Sequence, residues 1–267
     1  MSILADFIHQ VGRDRVVAEN IIPLGAGAED YQPTPQDAQK IASADVVFFN
    51  GHGLEAWLQE LFTSAGKPGL KTVELSKNLQ AVDVGSEDFK LGNPHFWMDP
   101  DYAITYVEII RDTLTQTDPA GATAYAANAQ AYITQLRALD HELKGLVADV
   151  PQDERKLVTN HDAFPYFAQH YGFTIVGNIL GNPEAELSAG DLADLVRKIQ
   201  AEQVKAVFSE SQFNPKVSAT LAREANINVV ANLYTDSLGN GEAGTYLEMM
   251  RYDMRTIVAA LTGKAAP

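Results

Sequence analysis

Between Pro119 and Val147 the chain has no second proline and only two glycines, Gly121 and Gly145. Inside that stretch Tyr132, Leu136, Leu139, Leu143 and Leu146 recur at alternating steps of four and three, the spacing that lines up side chains on one stripe of an α-helix. A helix of ~27 residues extends ~40 Å at 1.5 Å per residue, well beyond the ~11–12-residue mean of globular proteins. Such an element serves as a surface helix, as a coiled-coil strand or as a strut between two lobes. A new series of strands and helices begins directly after Pro151, which favours the strut.

Both flanks show short apolar runs alternating with helical segments, the pattern of parallel sheets built from crossover units. Before the strut, strands are expected at Arg15–Ile22, Asp45–Asn50 and Lys71–Leu75. Helices are expected from Thr34, over Gly53–Phe62, and from Asp99 to about Leu114. Thr34-Pro35-Gln36-Asp37 and Asp99-Pro100 each combine an N-cap with proline at the first helical position. After the strut, strands fall at Lys156–Thr159, Phe173–Val176, Ala206–Ser209 and Val229–Leu233. Helices fall at Asp162–Tyr171, Ser188–Gln203, Pro215–Ala225 and Thr245–Leu261. The expected class is α/β, with an N-terminal lobe over 1–117, a connecting helix over 118–150 and a C-terminal lobe over 151–267.

Twenty basic residues stand against 35 acidic ones, a formal charge of −15. That field repels nucleic acid and anionic membrane surfaces and mildly favours cations. The absence of cysteine excludes disulfides, iron–sulfur clusters and thiolate metal sites. No apolar run approaches the length that spans a bilayer. Met1-Ser2-Ile3-Leu4 leads straight into an amphipathic stretch and does not read as a signal peptide. A cytoplasmic protein and one whose leader has been replaced by a start methionine both fit this beginning.

Ligands of open parallel sheets bind beyond the carboxyl ends of the strands. The polar residues that follow the expected strands there are Glu29, His161, Glu210 and Asp236, and His95 ends a loop just before a helix. Imidazole with carboxylate is the donor set for zinc, manganese or iron without thiolate. Structural roles also fit each one: Asp236 suits a turn, Glu210 suits a cap near Pro215, and a lone histidine after a strand is commonly hydrogen-bonded in place. His9, His141 and His170 fall on helical segments with polar neighbours and read as solvated, and His52 in Asn50-Gly51-His52-Gly53 reads as exposed. Gly-x-Ser-x-Gly, the phosphate-cradling Gly-x-x-x-x-Gly-Lys-Ser/Thr and His-Glu-x-x-His are all missing, which argues against serine hydrolase, nucleotide and metalloprotease readings. Composition and spacing leave metal binding and structural roles both open.

Longer motifs add a resemblance. Tyr31-Gln32-Pro33-Thr34-Pro35-Gln36-Asp37, Ala44-Asp45-Val46-Val47-Phe48-Phe49-Asn50-Gly51 and Leu54-Glu55-Ala56-Trp57 resemble the zinc/manganese-binding proteins of metal ABC importers. So do Asn93-Pro94-His95-Phe96-Trp97-Met98-Asp99-Pro100, Thr159-Asn160-His161-Asp162-Ala163-Phe164-Pro165-Tyr166-Phe167 and Tyr234-Thr235-Asp236-Ser237-Leu238. These matches run through the whole chain in family order. The resemblance implies two Rossmann-like lobes joined by one long helix, with a divalent ion held between them and handed to a membrane permease. It implies His95, His161 and Asp236 as ligands. The fourth family position is normally histidine and here is Glu29, so Glu29, Asp30 or a water completes the set. Glu210 then orients a ligand or a bound water. The motifs look most like the zinc-importing branch, with Mn²⁺ as the alternative ion.

The resemblance further implies a non-enzymatic, monomeric protein, periplasmic or membrane-anchored outside the cell. The competing readings are a metallohydrolase using Glu210 as general base on a metal held by His95, His161 and Asp236, and a surface adhesin on the same fold. Family members also place a first strand ahead of the segment matching Ser2–Phe7. This chain starts at Met1, so the expectation is a truncated or mis-assigned start and a less stable N-terminal lobe.

Overall fold

The computed structural model describes residues 1–82, 91–180 and 188–264. Part of the polar loop ahead of Asn93 therefore lies outside the described residues. Nine helices and six strands are described. In chain order they are α1 (Ser2–Gly12), α2 (Pro35–Ser43), β1 (Val46–Phe49), α3 (Leu58–Ala65), β2 (Lys71–Glu74), α4 (Pro100–Thr117), α5 (Ala122–Val147) and β3 (Lys156–Thr159). There follow α6 (Pro165–Tyr171), β4 (Thr174–Asn178), α7 (Ala189–Ala201), β5 (Ala206–Glu210), α8 (Pro215–Ala225), β6 (Asn228–Leu233) and α9 (Tyr246–Thr262).

The strands pair in parallel, β1 with β2, β3 with β4 and β5 with β6, and β3 runs beside β5. Local chemistry sets the helix starts. At α2, Thr34 Oγ1 accepts from the Asp37 N–H while the Asp37 carboxylate accepts from the Thr34 N–H, a reciprocal capping box with Pro35 behind it. Asp99 caps α4 through the Asp101 N–H, again followed by proline. Ser188 and Thr245 cap α7 and α9 in the same way.

α5 is a 26-residue helix, about 39 Å long at 1.5 Å per residue. Its buried stripe runs Tyr125, Ala129, Tyr132, Ile133, Leu136, Leu139, Leu143 and Val147. That stripe belongs to one continuous core reaching from Ile3 and Phe7 in α1, through Tyr106 and Ile110 in α4, to Phe167 in α6 and Met250 and Ile257 in α9. A smaller core of Val158, Val176, Ile199, Val207 and Leu221 lies under α7 and α8. The long helix is thus the shared spine of both halves and not a tether exposed on all sides.

Two local expectations change. The strand expected over Arg15–Ile22 is not formed: Arg13–Arg15 make a single 3₁₀ turn and the chain then runs unpaired, with Val17 87% exposed. A groove of about 510 Å³ lies between this segment and β1, with Met1 and, from α1, Leu4 and Ile8 among its walls. Val16, Val17, Ala18 and Ile21 line that groove, while Ile22 packs into the main core, and none of them pairs with a neighbouring strand. The helix expected over Gly53–Phe62 begins only at Leu58. Gly51, His52 and Gly53 have positive φ (93°, 52° and 84°), which keeps a right-handed helix from starting at Gly53, and residues 54–57 continue as turns, with the Leu54 N–H on the Gly51 carbonyl and the Leu58 N–H on the Glu55 carbonyl.

Candidate metal centre

Five segments from both halves of the chain converge at the carboxyl ends of β3, β5 and β6. His161 follows β3, Glu210 ends β5, and Asp236 lies three residues beyond β6. Glu29 comes from the loop before α2, and His95 immediately precedes the 3₁₀ turn Phe96–Met98 that leads into α4. His95 and His161 are fully buried, Asp236 is 2% exposed, and Glu29 is partly buried.

The geometry is tight. His95 Nε2 lies 3.2 Å from His161 Nε2, 3.6 Å from Glu29 Oε1 and 3.4 Å from Asp236 Oδ1. His161 Nε2 lies 3.4 Å from Asp236 Oδ2. Ligands at ~2.1 Å around a tetrahedral ion sit ~3.4 Å apart, so the donors facing His95 Nε2 stand at the spacing of neighbours around one ion, with Asp236 turning a different carboxylate oxygen to each histidine. Glu29 Oε1 and Asp236 Oδ1 are buried without a hydrogen-bond partner. Buried carboxylate oxygens are normally paired or bound to metal, and here they share one point of convergence with two imidazole nitrogens. Asp30 is exposed, so Glu29 is the acidic residue of that loop that faces the histidines.

The charges are mutually dependent. Burial alone pushes the Asp236 carboxyl up, but His161 and His95 together hold it well below the usual carboxylate range. Burial likewise disfavours the charged His161 ring, and the Glu210 and Asp236 carboxylates outweigh it and raise its pKa well above the ordinary value. Burial raises the Glu29 carboxyl, with His95 and His161 pulling the other way. Such a site favours positive charge at its centre.

Surrounding contacts hold the donors in place. Glu210 does not cap a helix: its Oε1 accepts from the Asn160 and His161 backbone N–H groups at 2.8 and 3.0 Å, and its Oε2 lies 2.7 Å from His161 Nδ1. Thr235 Oγ1 donates to the same Oε2 at 2.7 Å. Gln212 donates to Asp236 Oδ2 at 3.1 Å and to Thr235 Oγ1 at 2.6 Å. Trp97 Nε1 donates to the Thr235 carbonyl at 2.7 Å, joining the His95 and Asp236 loops. Gln212, Thr235 and Trp97 were not singled out from the sequence. Their one visible signal is that each sits one or two residues from a candidate ligand or from Glu210.

The other histidines divide. His9 and His141 are exposed, as expected. His52 is part-buried, its Nδ1 2.8 Å from Ser76 Oγ and its ring edge-on to Phe96. His170 is not solvated. Its Nδ1 lies 3.1 Å from Asp99 Oδ1 and its Nε2 2.7 Å from Asp140 Oδ1. Asp99, Asp101 and His170 form a second cluster of metal-type donors. Both His170 ring nitrogens are in direct contact with carboxylates of Asp99 and Asp140, and Asp101 is exposed, so this ring is engaged in an ion pair between helices and turns neither nitrogen to a shared centre.

A sequence model of the family described as zinc-uptake complex component A, periplasmic, matches residues 1–260. The chain is 33% identical to the manganese-binding lipoprotein MntA of Halalkalibacterium halodurans, over 98% of this chain and 86% of that one. It is 34% identical to the iron-binding protein YfeA of Yersinia pestis, over 96% and 83%. Among solved structures, a Mn-bound periplasmic metal-binding protein from Candidatus Liberibacter asiaticus superposes with a TM-score of 0.86 at 31% identity, covering 97% of this chain and 96% of that one. The periplasmic zinc-binding protein TroA of Treponema pallidum gives 0.89 at 26% identity, covering 98% and 96%.

Proposed function

We propose, on the premise that this chain belongs to the periplasmic zinc-uptake component A family, that it captures one divalent transition-metal ion between its two lobes and delivers it to the permease of an ABC importer. It is a solute-binding protein and not an enzyme. The observation that carries the reading is that His95 Nε2 stands 3.2–3.6 Å from donor atoms of His161, Asp236 and Glu29, so that four separate segments meet around one buried imidazole nitrogen. The lobes we assign are 1–117 and 151–267, with 118–150 as the connecting helix.

The cargo we assign is Mn²⁺, with Zn²⁺ as the close competitor that the motifs by themselves favoured. Two carboxylates beside two imidazoles form a harder donor set than three imidazoles and one carboxylate, and harder oxygen ligands suit manganese. Relatives sharing about a third of the sequence are named for manganese and iron, which supports the same choice. Zinc still binds nitrogen–oxygen sites more tightly than manganese by the general order of divalent affinities, so metal supply acts alongside the ligands in selecting the cargo.

No helix among the described residues is long and apolar enough to cross a membrane. We place it on the outer side of the cytoplasmic membrane, in the periplasm or anchored to the cell surface, which accords with the lipoprotein names of several relatives, and take it to act as a monomer. Isothermal titration of chelator-treated protein with Mn²⁺ and with Zn²⁺ tests the reading. One ion bound per chain, more tightly than micromolar, is expected for both. Binding weaker than micromolar to both metals overturns it.

A further inference from the structure

The two candidate imidazole ligands are braced differently. Each presents Nε2 to the centre and has a partner at Nδ1. For His161 that partner is the Glu210 carboxylate, at an ion-pair distance of 2.7 Å without hydrogen-bond alignment. For His95 it is the side-chain carbonyl of Asn93, at 3.1 Å. Asn93 is completely buried and opens the Asn93-Pro94-His95 motif, which by itself assigns it no role.

The orientation of its amide can be deduced. The His95 backbone N–H points at Asn93 Oδ1 from 3.0 Å, and a backbone N–H can only donate. The atom it meets must be the oxygen. The same oxygen then faces His95 Nδ1, so in the neutral ring that nitrogen carries the proton and Nε2 keeps its lone pair. On its other side the Asn93 Nδ2 donates to the Asp162 carbonyl at 2.6 Å. Asp162 follows His161 directly. The Asn93 carbonyl, in turn, accepts from Tyr166 Oη of α6. One amide therefore touches the loops of both histidines.

We propose that Asn93 is a positioning residue for metal capture, which locks His95 in the tautomer whose Nε2 lone pair faces the ion and latches the His95 loop to the His161 loop. This rests on the metal-binding reading above. It also accounts for the unequal bracing. A carboxylate at Nδ1 makes an imidazole a more basic ligand than a neutral amide does, so His161 is the firmer anchor and His95 the ligand that yields first on release.

Two variants separate orientation of the ring from ordinary packing. Asn93→Asp keeps an oxygen for His95 and loses the donor to Asp162, whose carboxylate oxygen already lies 3.5 Å from Asn93 Nδ2. Asn93→Ala loses both. The expected result is a loss of about 10–100-fold in Mn²⁺ or Zn²⁺ affinity for Asn93→Ala. Asn93→Asp should recover most of that loss and dissociate the ion more slowly than the wild type. If only the bond to Asp162 matters, Asn93→Asp should bind as weakly as Asn93→Ala, which overturns the proposal.

An added negative charge attracts a cation wherever it stands, so a second readout is needed. Ring ¹⁵N spectra of the metal-free wild type, at a pH above the imidazole range and assigned with a His95→Gln control, report the His95 tautomer directly. A single Nδ1–H tautomer is expected. An Nε2–H tautomer or an even mixture overturns the proposal, including in the case that Asn93→Ala fails to fold. Failure of the wild type to bind either metal is failure of the underlying reading, and the tautomer of the ion-free protein still decides the role of Asn93.

Discussion

With Glu29 and Asp236 ionised, the centre offers two negative charges and two neutral imidazoles, which almost balances a divalent cation. Replacing Glu29 by histidine removes one of those charges and softens the set. Glu29→His should therefore keep zinc affinity within a few-fold and weaken manganese by about tenfold or more, moving the Zn/Mn ratio toward zinc. Competitive titration of the two metals measures that ratio, and an unchanged ratio would remove Glu29 from the ligand set. His161→Ala takes away a buried donor that sits 3.2 Å from His95 Nε2. His52→Ala takes away a part-buried ring bonded to Ser76. The first should abolish tight binding and the second should leave affinity nearly intact, so equal effects in calorimetry would contradict the assignment. Four of these residues were visible in the sequence because strand ends and family motifs mark them. Asn93 and Thr235 stand inside those motifs and Gln212 outside them, but the role of all three lies in which atoms they meet across the cleft, and no local pattern encodes that meeting.

Elements differ in how far local chemistry can specify them. α2, α4, α7 and α9 announce themselves through Thr34, Asp99, Ser188 and Thr245, whose side chains satisfy the first free N–H groups. α5 was legible from its stripe of Tyr132, Leu136, Leu139 and Leu143. Arg15–Ile22 reads as a strand because five of its eight residues are apolar, yet a strand needs a partner, and most of this segment borders a groove while Ile22 alone is buried in the core. His170 was misread for a similar reason. Its neighbours on α6 are unremarkable, and its two carboxylate partners come from the start of α4 and from α5. That arrangement ties three helices together and should depend on pH. The His170 pKa is raised above the ordinary 6.5, with burial opposing and Asp99 and Asp140 prevailing. Asp101 beside Asp99, Lys144 beside Asp140 and the buried Tyr171 beside the ring are the other titratable groups described around it. A raised imidazole pKa means that the stabilisation is fully present below about pH 6.5 and is lost as pH rises through the folded-state value. The thermal midpoint of His170→Gln should accordingly lie below that of the wild type at pH 6, with the gap narrowing as pH rises above neutrality. A gap that widens with pH would refute the clasp.

At the scale of the whole molecule, the continuous core decides how the two lobes can behave. Residues from α1, α4, α5, α6 and α9 share one buried cluster, so separating the lobes along a wide hinge would expose the spine formed by α5. On the proposed site, metal release would then come from small displacements of the loops that carry His95, His161 and Asp236, and the metal-free chain should unfold as one cooperative unit. Calorimetry of chelator-treated protein should show a single transition; two resolved transitions would mean that the lobes are independent. Metal acts on that equilibrium by binding only the folded state. At a free-ion concentration about 100 times Kd the stabilisation is ~2.7 kcal/mol. For a chain of this size each kcal/mol moves the midpoint by about 2–4 °C, so saturating Mn²⁺ should raise it by roughly 5–10 °C. Asp236→Ala should lose most of that increment, because it removes a ligand carboxylate and leaves Gln212 and two imidazoles without their shared acceptor. Leu139→Ala, in the middle of the spine, should lower the starting midpoint by the equivalent of about 2–5 kcal/mol while leaving the metal-induced increment in place. An increment that disappears with Leu139 and survives without Asp236 would place the ion somewhere other than the cleft.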